Sequence, residues 1–415
     1  MRHPWTRLGS AGLALLFLAP VGLGAAAPEE QPSDAHREAA ARLLRRVPLI
    51  DGHNDLPWAL VERDAAAPLA IDLRLPQPAL MTDWPRLAAG QVGGQFWVCY
   101  VPSEMEPARA ARQALDQIDL IHRMIAAYPG QLTLARTAAE IESAHARGRV
   151  ASLIGVEGGH MIDGSLSMLR TLYRLGARYM TLTHASGTPW ADSATDDAVH
   201  GGLTPFGEEV VREMNRLGML VDLSHVSDDT MRDALAISAA PVIFSHSSAR
   251  ALADHPRNVP DDILRRVGET GGVVMVNFAS TFVSAEAAYA RRDSFTAFKE
   301  ARRAYPDDAA ARRRVMKEWL DAHPAPRATL RQVADHLDHI RRVAGAQAVG
   351  IGSDFDGISD PPEGLEDVSH FPDLIAELFR RGWPPRDIEG AAGRNLLRVL
   401  RQAEQVSARL RRPPT

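Results

Sequence analysis

One cysteine, Cys99, stands in 415 residues, so no disulfide forms within the chain and the fold rests on its hydrophobic core. Such a core is available, because 45% of the residues are hydrophobic and a chain of this length buries most of the surface it exposes when unfolded. Lysine is almost as scarce, with Lys299 and Lys317 alone. Charge of one sign is also lacking. The 47 basic and 52 acidic side chains leave a net charge of -5, which excludes the basic field that draws in nucleic acid and points to a small molecule or peptide as partner. The apolar run Ala11 to Leu23 falls short of the roughly 20 residues a membrane span needs. It follows Arg2 and Arg7 and precedes the small residues Gly24 to Ala27, the order of a signal peptide over residues 1–27. The expectation is an exported protein, periplasmic or secreted, with no stable membrane anchor. Cys99 lies within Gln95-Phe-Trp-Val-Cys-Tyr100 and reads as a small buried hydrophobe.

Eight short β-rich runs alternate with helical stretches: Val47 to Asp51, Gln95 to Val101, Val150 to Val156, Ala177 to Thr183, Gly218 to Leu223, Pro241 to Ser245, Gly272 to Asn277 and Ala348 to Gly352. Between them, Pro205 to Leu217 reads as a helix stopped by Gly218, and Ser227 or Asp228 caps another running to about Ile237. This alternation predicts one α/β domain over residues 28–415, a (β/α)8 TIM-type barrel of the metal-dependent hydrolase type. A helical insertion at about 280–327, rich in Arg and Ala, interrupts it. Lid, subunit contact and plain solvated helix all remain open for that segment.

Unusual polar residues gather where these runs end: His53 and Asp55, Glu157, His184, His225, His246, Asn277 and Asp354. In such barrels that rim carries the active site. Two divalent ions held close together need imidazoles and carboxylates from several directions and a bridging anion. His53 and Asp55, two residues apart, face the mouth together; Glu157 is the natural bridge; His225 and His246 complete the ligand set of the second ion. A carbamylated lysine cannot bridge, since neither lysine follows a strand. One histidine alone reads as core or surface, but five candidate ligands at one end of successive strands favour metal. His336 and His339 share a face of the helix Leu330 to Val343 and read as solvated. His160 is either an outer support of the site or structural, and Asp222 or Asp356 can orient a histidine ligand.

These residues resemble the membrane (renal) dipeptidases, zinc-dependent peptidases. The likeness is carried by Asp51-Gly-His-Asn-Asp-Leu-Pro-Trp58, Gly94-Gln-Phe-Trp97, Gly155-Val-Glu-Gly-Gly-His160, Met180-Thr-Leu-Thr-His184, Thr188-Pro-Trp-Ala-Asp192, Val221-Asp-Leu-Ser-His225, Phe244-Ser-His-Ser-Ser248, Arg257-Asn-Val-Pro-Asp-Asp262 and Gly352-Ser-Asp-Phe-Asp-Gly357. The resemblance implies two zinc ions, one on His53, Asp55 and Glu157 and the other on Glu157, His225 and His246, bridged by Glu157 and a hydroxide. It further implies that His184 lies over the substrate carbonyl, that Arg257 grips the terminal carboxylate, that Asp354 handles protons, and that the chain forms a homodimer. Dipeptides are then the substrates, including those whose second residue is D. Unlike the animal enzyme, this chain ends in the basic stretch Arg409 to Thr415 with no apolar tail, so a glycolipid anchor is not expected.

Two rival readings differ in what they require. Another amide or β-lactam hydrolase, or a deaminase, on the same barrel usually opens with His-x-His, whereas this chain shows His53-Asn-Asp55. A non-catalytic exported maturation protein would have lost a ligand, and none is lost.

Overall fold

The computed structural model describes residues 31–306 and 308–412; the expected signal segment lies outside the described residues. From Pro32 onward the chain forms one compact unit. Its strands are β1 (Leu49–Asn54), β2 (Val92–Tyr100), β3 (Leu132–Leu134), β4 (Val150–Glu157), β5 (Ala177–Thr181), β6 (Leu220–Asp222), β7 (Ile243–Phe244), β8 (Val273–Val276) and β9 (Val349–Ile351). All neighbouring strands run parallel in the order β2-β1-β9-β8-β7-β6-β5-β4-β3, and a β2–β4 ladder from Gly94↔Ala151 to Tyr100↔Glu157 closes the barrel. The eight expected runs all supply barrel strands. β3 was not expected; it extends the sheet beside the first residues of β4.

Strand alternation decides what the barrel holds. On β4, Leu153 and Gly155 precede Glu157 at every second residue, and on β5 Tyr179 precedes Thr181. The lower interior is filled by Ile50, Phe96, Leu153, Tyr179, Leu220 and Met275, each at most 1% exposed. Burial of side chains this large contributes about 1.5–3 kcal/mol apiece. Gly155 is needed here because a Cβ would overlap the Tyr179 ring.

The outer helices follow the sequence signals. Helix Pro205–Leu217 begins at Thr204, whose side chain accepts from the Gly207 amide at 3.3 Å, and stops at Gly218, whose φ of 86° favours glycine. Ser227 caps helix Asp228–Ile237, accepting from the Thr230 amide at 3.2 Å. Helix Leu330–Ala344 corrects one expectation: His336 and His339 are buried, not solvated. His336 accepts the Ala249 amide at 3.0 Å and donates to the Val283 carbonyl at 3.0 Å, while His339 donates to Asp261 at 2.7 Å. Burial pushes the His336 pKa down to about 4, so the ring is neutral and can make both bonds.

Between β8 and that helix run four helices, Ser280–Val283, Ala285–Ala290, Ser294–Ala304 and Ala309–Ala322. They reach the loops beyond β2 and β5 through Arg312–Glu104 at 3.7 Å, Arg302–Ser186 at 2.5 Å and Lys299–Asp197 at 2.7 Å. Among the described residues no helix is long and apolar enough to cross a membrane.

Candidate metal centre and substrate cavity

Two buried aspartates shape the strand ends from which the candidate ligands project. Asp51 in the middle of β1 accepts the Ser353 amide and hydroxyl, both at 2.7 Å, and Gln95 Nε2 at 2.9 Å. Asp222 at the end of β6 accepts the Ser245 amide at 2.8 Å, the Ser245 hydroxyl at 2.6 Å and the Thr181 hydroxyl at 2.5 Å. Each carboxylate thus pins its own strand to the next, β1 to the segment after β9 and β6 to the segment after β7. Backbone strain collects at the same rim, with left-handed φ values of 70° at His225, 65° at Asp354 and 64° at Asp356. Such conformations cost about 1–3 kcal/mol each and persist only where surrounding structure holds them.

Of the five sequence-predicted ligands, the three histidines converge on Glu157. Its Oε1 lies 2.9 Å from His225 Nε2, 3.4 Å from His246 Nε2 and 3.6 Å from His53 Nε2. His53 Nε2 is 3.2 Å from Asp55 Oδ2, and the His225 and His246 Nε2 atoms are 2.9 Å apart. Ligands at the 2.0–2.1 Å typical of zinc stand about 3.3 Å apart around a tetrahedral ion, so these spacings fit metal ligation. Buried His53 Nε2 and Asp55 Oδ1 have no hydrogen-bond partner, and groups of His, Asp and Glu here bring their ligand atoms within 4.8 Å of one another. A divalent cation answers both observations. Burial pushes Glu157 up, but the surrounding imidazoles, His53 and His184 foremost, outweigh it and hold the carboxyl well below its usual range. Burial keeps the His225 and His246 pKa values well below normal. His53 departs from this: burial lowers it, but the Asp55 and Glu157 carboxylates outweigh burial and hold its pKa well above normal. An ionised carboxylate and neutral imidazoles are the forms that ligate metal, so a cation bound here would displace the His53 proton.

The second nitrogens of two ligands are fixed by neighbours. His53 Nδ1–H donates to Tyr179 Oη at 3.0 Å, and that hydroxyl donates to the Gly52 carbonyl at 3.2 Å. His246 Nδ1–H donates to Ser245 Oγ at 2.8 Å, which donates onward to Asp222. Both chains hold a proton on Nδ1 and aim Nε2 at Glu157, the arrangement that orients metal-bound histidines. Tyr179, Ser245 and Ser353 were not singled out from the sequence, because hydroxyls on strands or just beyond their ends carry no signal until their partners are known. Asp222 supports a histidine as expected; Asp356 instead accepts the Met81 amide at 2.7 Å. His160 donates to the Val101 carbonyl at 3.1 Å, and burial lowers its pKa to about 4.

A cavity of about 330 Å³ opens beside this cluster, lined by His184, Arg257, Asp354, Phe282 and Tyr100 among others. His184 Nε2 lies 3.7 Å from Glu157 Oε1, and its side chain, 16% exposed, is at the rim. Asp354 accepts from Asn277 Nδ2 at 2.8 Å, and burial drives its pKa up to about 8. Arg257, 3% exposed, makes only two long hydrogen bonds, to Ser247 Oγ at 3.3 Å and the His246 carbonyl at 3.4 Å, and stacks over Phe282 at 5.2 Å. Among the described residues no carboxylate lies within ion-pair distance of it. Burial pushes its pKa down to about 10.

A closed parallel barrel whose carboxyl-terminal mouth gathers imidazoles and carboxylates around one glutamate is the frame of a metal-dependent hydrolase. The sequence model for the membrane dipeptidases, peptidase family M19, matches residues 37–414. The chain is 44% identical over 375 residues to Dipeptidase 3 of Mus musculus, covering 89% of this chain and 67% of that protein. A metallopeptidase from Rhodobacter sphaeroides, solved with a phosphinate mimic of L-Ala-D-Ala, is similar with a TM-score of 0.71 and 26% identity, covering 86% of this chain and 99% of that one. The fold likeness extends to the probable dipeptidase PvdM from Pseudomonas aeruginosa, with a TM-score of 0.76, 22% identity and coverage of 90% and 99%. The chain therefore belongs to the membrane dipeptidase family and is a metallo-dipeptidase.

Proposed function

We propose that the chain cleaves the peptide bond of dipeptides at a centre of two zinc ions, with His53 and Asp55 on one ion, His225 and His246 on the other, and Glu157 between them. The observation that carries this reading is the convergence of three Nε2 atoms on a single carboxylate oxygen inside the barrel mouth. Zinc, when bound, supplies a Lewis acid for the carbonyl and lowers the pKa of water to roughly 7. The chain's own groups do the rest. His184 faces the cavity beside Glu157 and donates toward the carbonyl oxygen as charge develops there. Asp354, held by Asn277 and lining the cavity, can take a proton and pass it to the leaving amine.

Arg257 supports the dipeptide reading independently of the metal. A buried guanidinium with no carboxylate partner is complete only when an anion arrives, and its planar fork matches a terminal carboxylate. The free amine sits across the site near Asp354 and the metal ligands. A third residue would leave one charged end unpaired, so longer peptides are poor substrates. The Rhodobacter relative binds an L-Ala-D-Ala mimic, which supports tolerance of a D residue at the second position.

The deciding experiment measures bound metal and the hydrolysis of L,L and L,D dipeptides and tripeptides. Two zinc per chain and preference for dipeptides are expected. Fewer than two metals, or no turnover at full loading, would overturn the proposal.

A further inference from the structure

We infer that Trp58, Tyr100 and Glu62 form a side-chain pocket that selects dipeptides whose first residue is cationic, lysine or arginine; this rests on the dipeptidase reading above. Helix Leu56–Arg63 leaves directly from the turn that carries His53 and Asp55. Trp58 and Glu62 are four residues apart on it, hence one above the other on one face, and both line the substrate cavity. The Trp58 ring stands edge-on to Tyr100 at 5.1 Å, and Tyr100 stands edge-on to His184 at 5.0 Å. An aromatic wall thus runs outward from the metal-ligand cluster and ends at a carboxylate.

Glu62 is exposed at the mouth, and among the described residues no lysine, arginine or histidine pairs with it. The other ends of a dipeptide are already assigned. Arg257 follows β7, and in the barrel order β1-β2-β4-β5-β6-β7-β8-β9 that strand lies opposite β2, which carries Tyr100. A carboxylate held at Arg257 turns the first residue toward the β1–β2 side, where Trp58, Tyr100 and Glu62 stand. A long aliphatic stem with a cationic end fits this surface, because the stem covers the rings, the charge is attracted by their π faces and the end meets the carboxylate.

The test uses the metal-loaded full chain and three substrates: Lys-Ala, norleucine-Ala, which keeps the stem without its charge, and Glu-Ala. In the wild type kcat/KM is expected to favour Lys-Ala over norleucine-Ala by about fivefold, as a partly exposed ion pair allows, and the preference shrinks as salt rises. Glu62→Gln should lower that ratio by about threefold to fivefold, and Glu62→Lys should turn the preference toward Glu-Ala. Metal content, read alongside, should not move. If Glu62→Gln lowers all three substrates equally, Glu62 holds the α-ammonium instead and the inference is overturned. Unchanged ratios overturn it as well. Failure of the metal-loaded wild type to cleave any dipeptide overturns the dipeptidase reading itself, and this inference with it.

Discussion

Replacing Arg257 by methionine should make the protein more stable and a much poorer dipeptidase. The guanidinium is buried at 3% exposure without a carboxylate partner, and its pKa is pushed down to about 10. With each pKa unit equal to about 1.4 kcal/mol, keeping the charge in the fold costs about 3 kcal/mol. For a base whose folded pKa is depressed, that cost is fully present below pH 10 and is relieved only as pH rises above it. Little is lost when the side chain goes. Ser247 Oγ keeps Ser224 Oγ at 3.1 Å, and the His246 carbonyl keeps Asn277 Nδ2 at 3.5 Å. Methionine of similar length over Phe282 should therefore stabilise by about 1–3 kcal/mol. At about 2.1 cal/mol/K of unfolding entropy per residue, that is a rise in Tm of about 1–4 °C for the 384 residues from Pro32 onward. Activity moves the other way: loss of a buried carboxylate clamp costs about 2–5 kcal/mol, or a fall of about 30-fold or more in kcat/KM. Thermal unfolding without dipeptide and kinetics on a dipeptide and its C-terminal amide measure the two effects, and metal analysis checks that the metal content is unchanged. A destabilised variant, or an undiminished preference for the acid over the amide, would refute the assignment.

Other substitutions test the remaining parts of the site. Asp354→Asn should keep its metal and lose kcat by about 10²- to 10⁴-fold; turnover near wild type would contradict its role in proton transfer. Tyr179→Phe removes the hydroxyl between His53 and the Gly52 carbonyl, so metal affinity in a competition titration should fall about 10- to 100-fold, with about 1–3 kcal/mol of stability lost as the buried carbonyl goes unpaired. Gly155→Ala forces a methyl against the Tyr179 ring and should destabilise by about 1–3 kcal/mol while weakening metal binding in the same titration; unchanged affinity would mean that the ring does not position His53.

Much of the barrel was legible because a buried parallel strand is a short apolar run, and eight of them alternate with capped helices. The Pro205–Leu217 helix could be placed to the residue from Pro at its start and Gly218 at its end. β3 was missed because Leu132–Leu134 is too short to show a period. His336 and His339 were misread because two polar residues on one helix face look solvated until the partners that satisfy them, Ala249, Val283 and Asp261, are in place.

The sequence by itself determined which end of which strand carries each candidate ligand, since alternation along a strand and the polar residue closing each run are local properties. It determined too that no lysine could bridge and no disulfide could brace the fold. Only the tertiary structure decided that His53, His225 and His246 meet one oxygen of Glu157. Those distances depend on barrel closure by β2 and β4 and on the two aspartates that lock neighbouring strand ends together. The same holds for Arg257. Its sequence context names a cation, but its burial without a partner is a property of the packed molecule, set by residues far away along the chain.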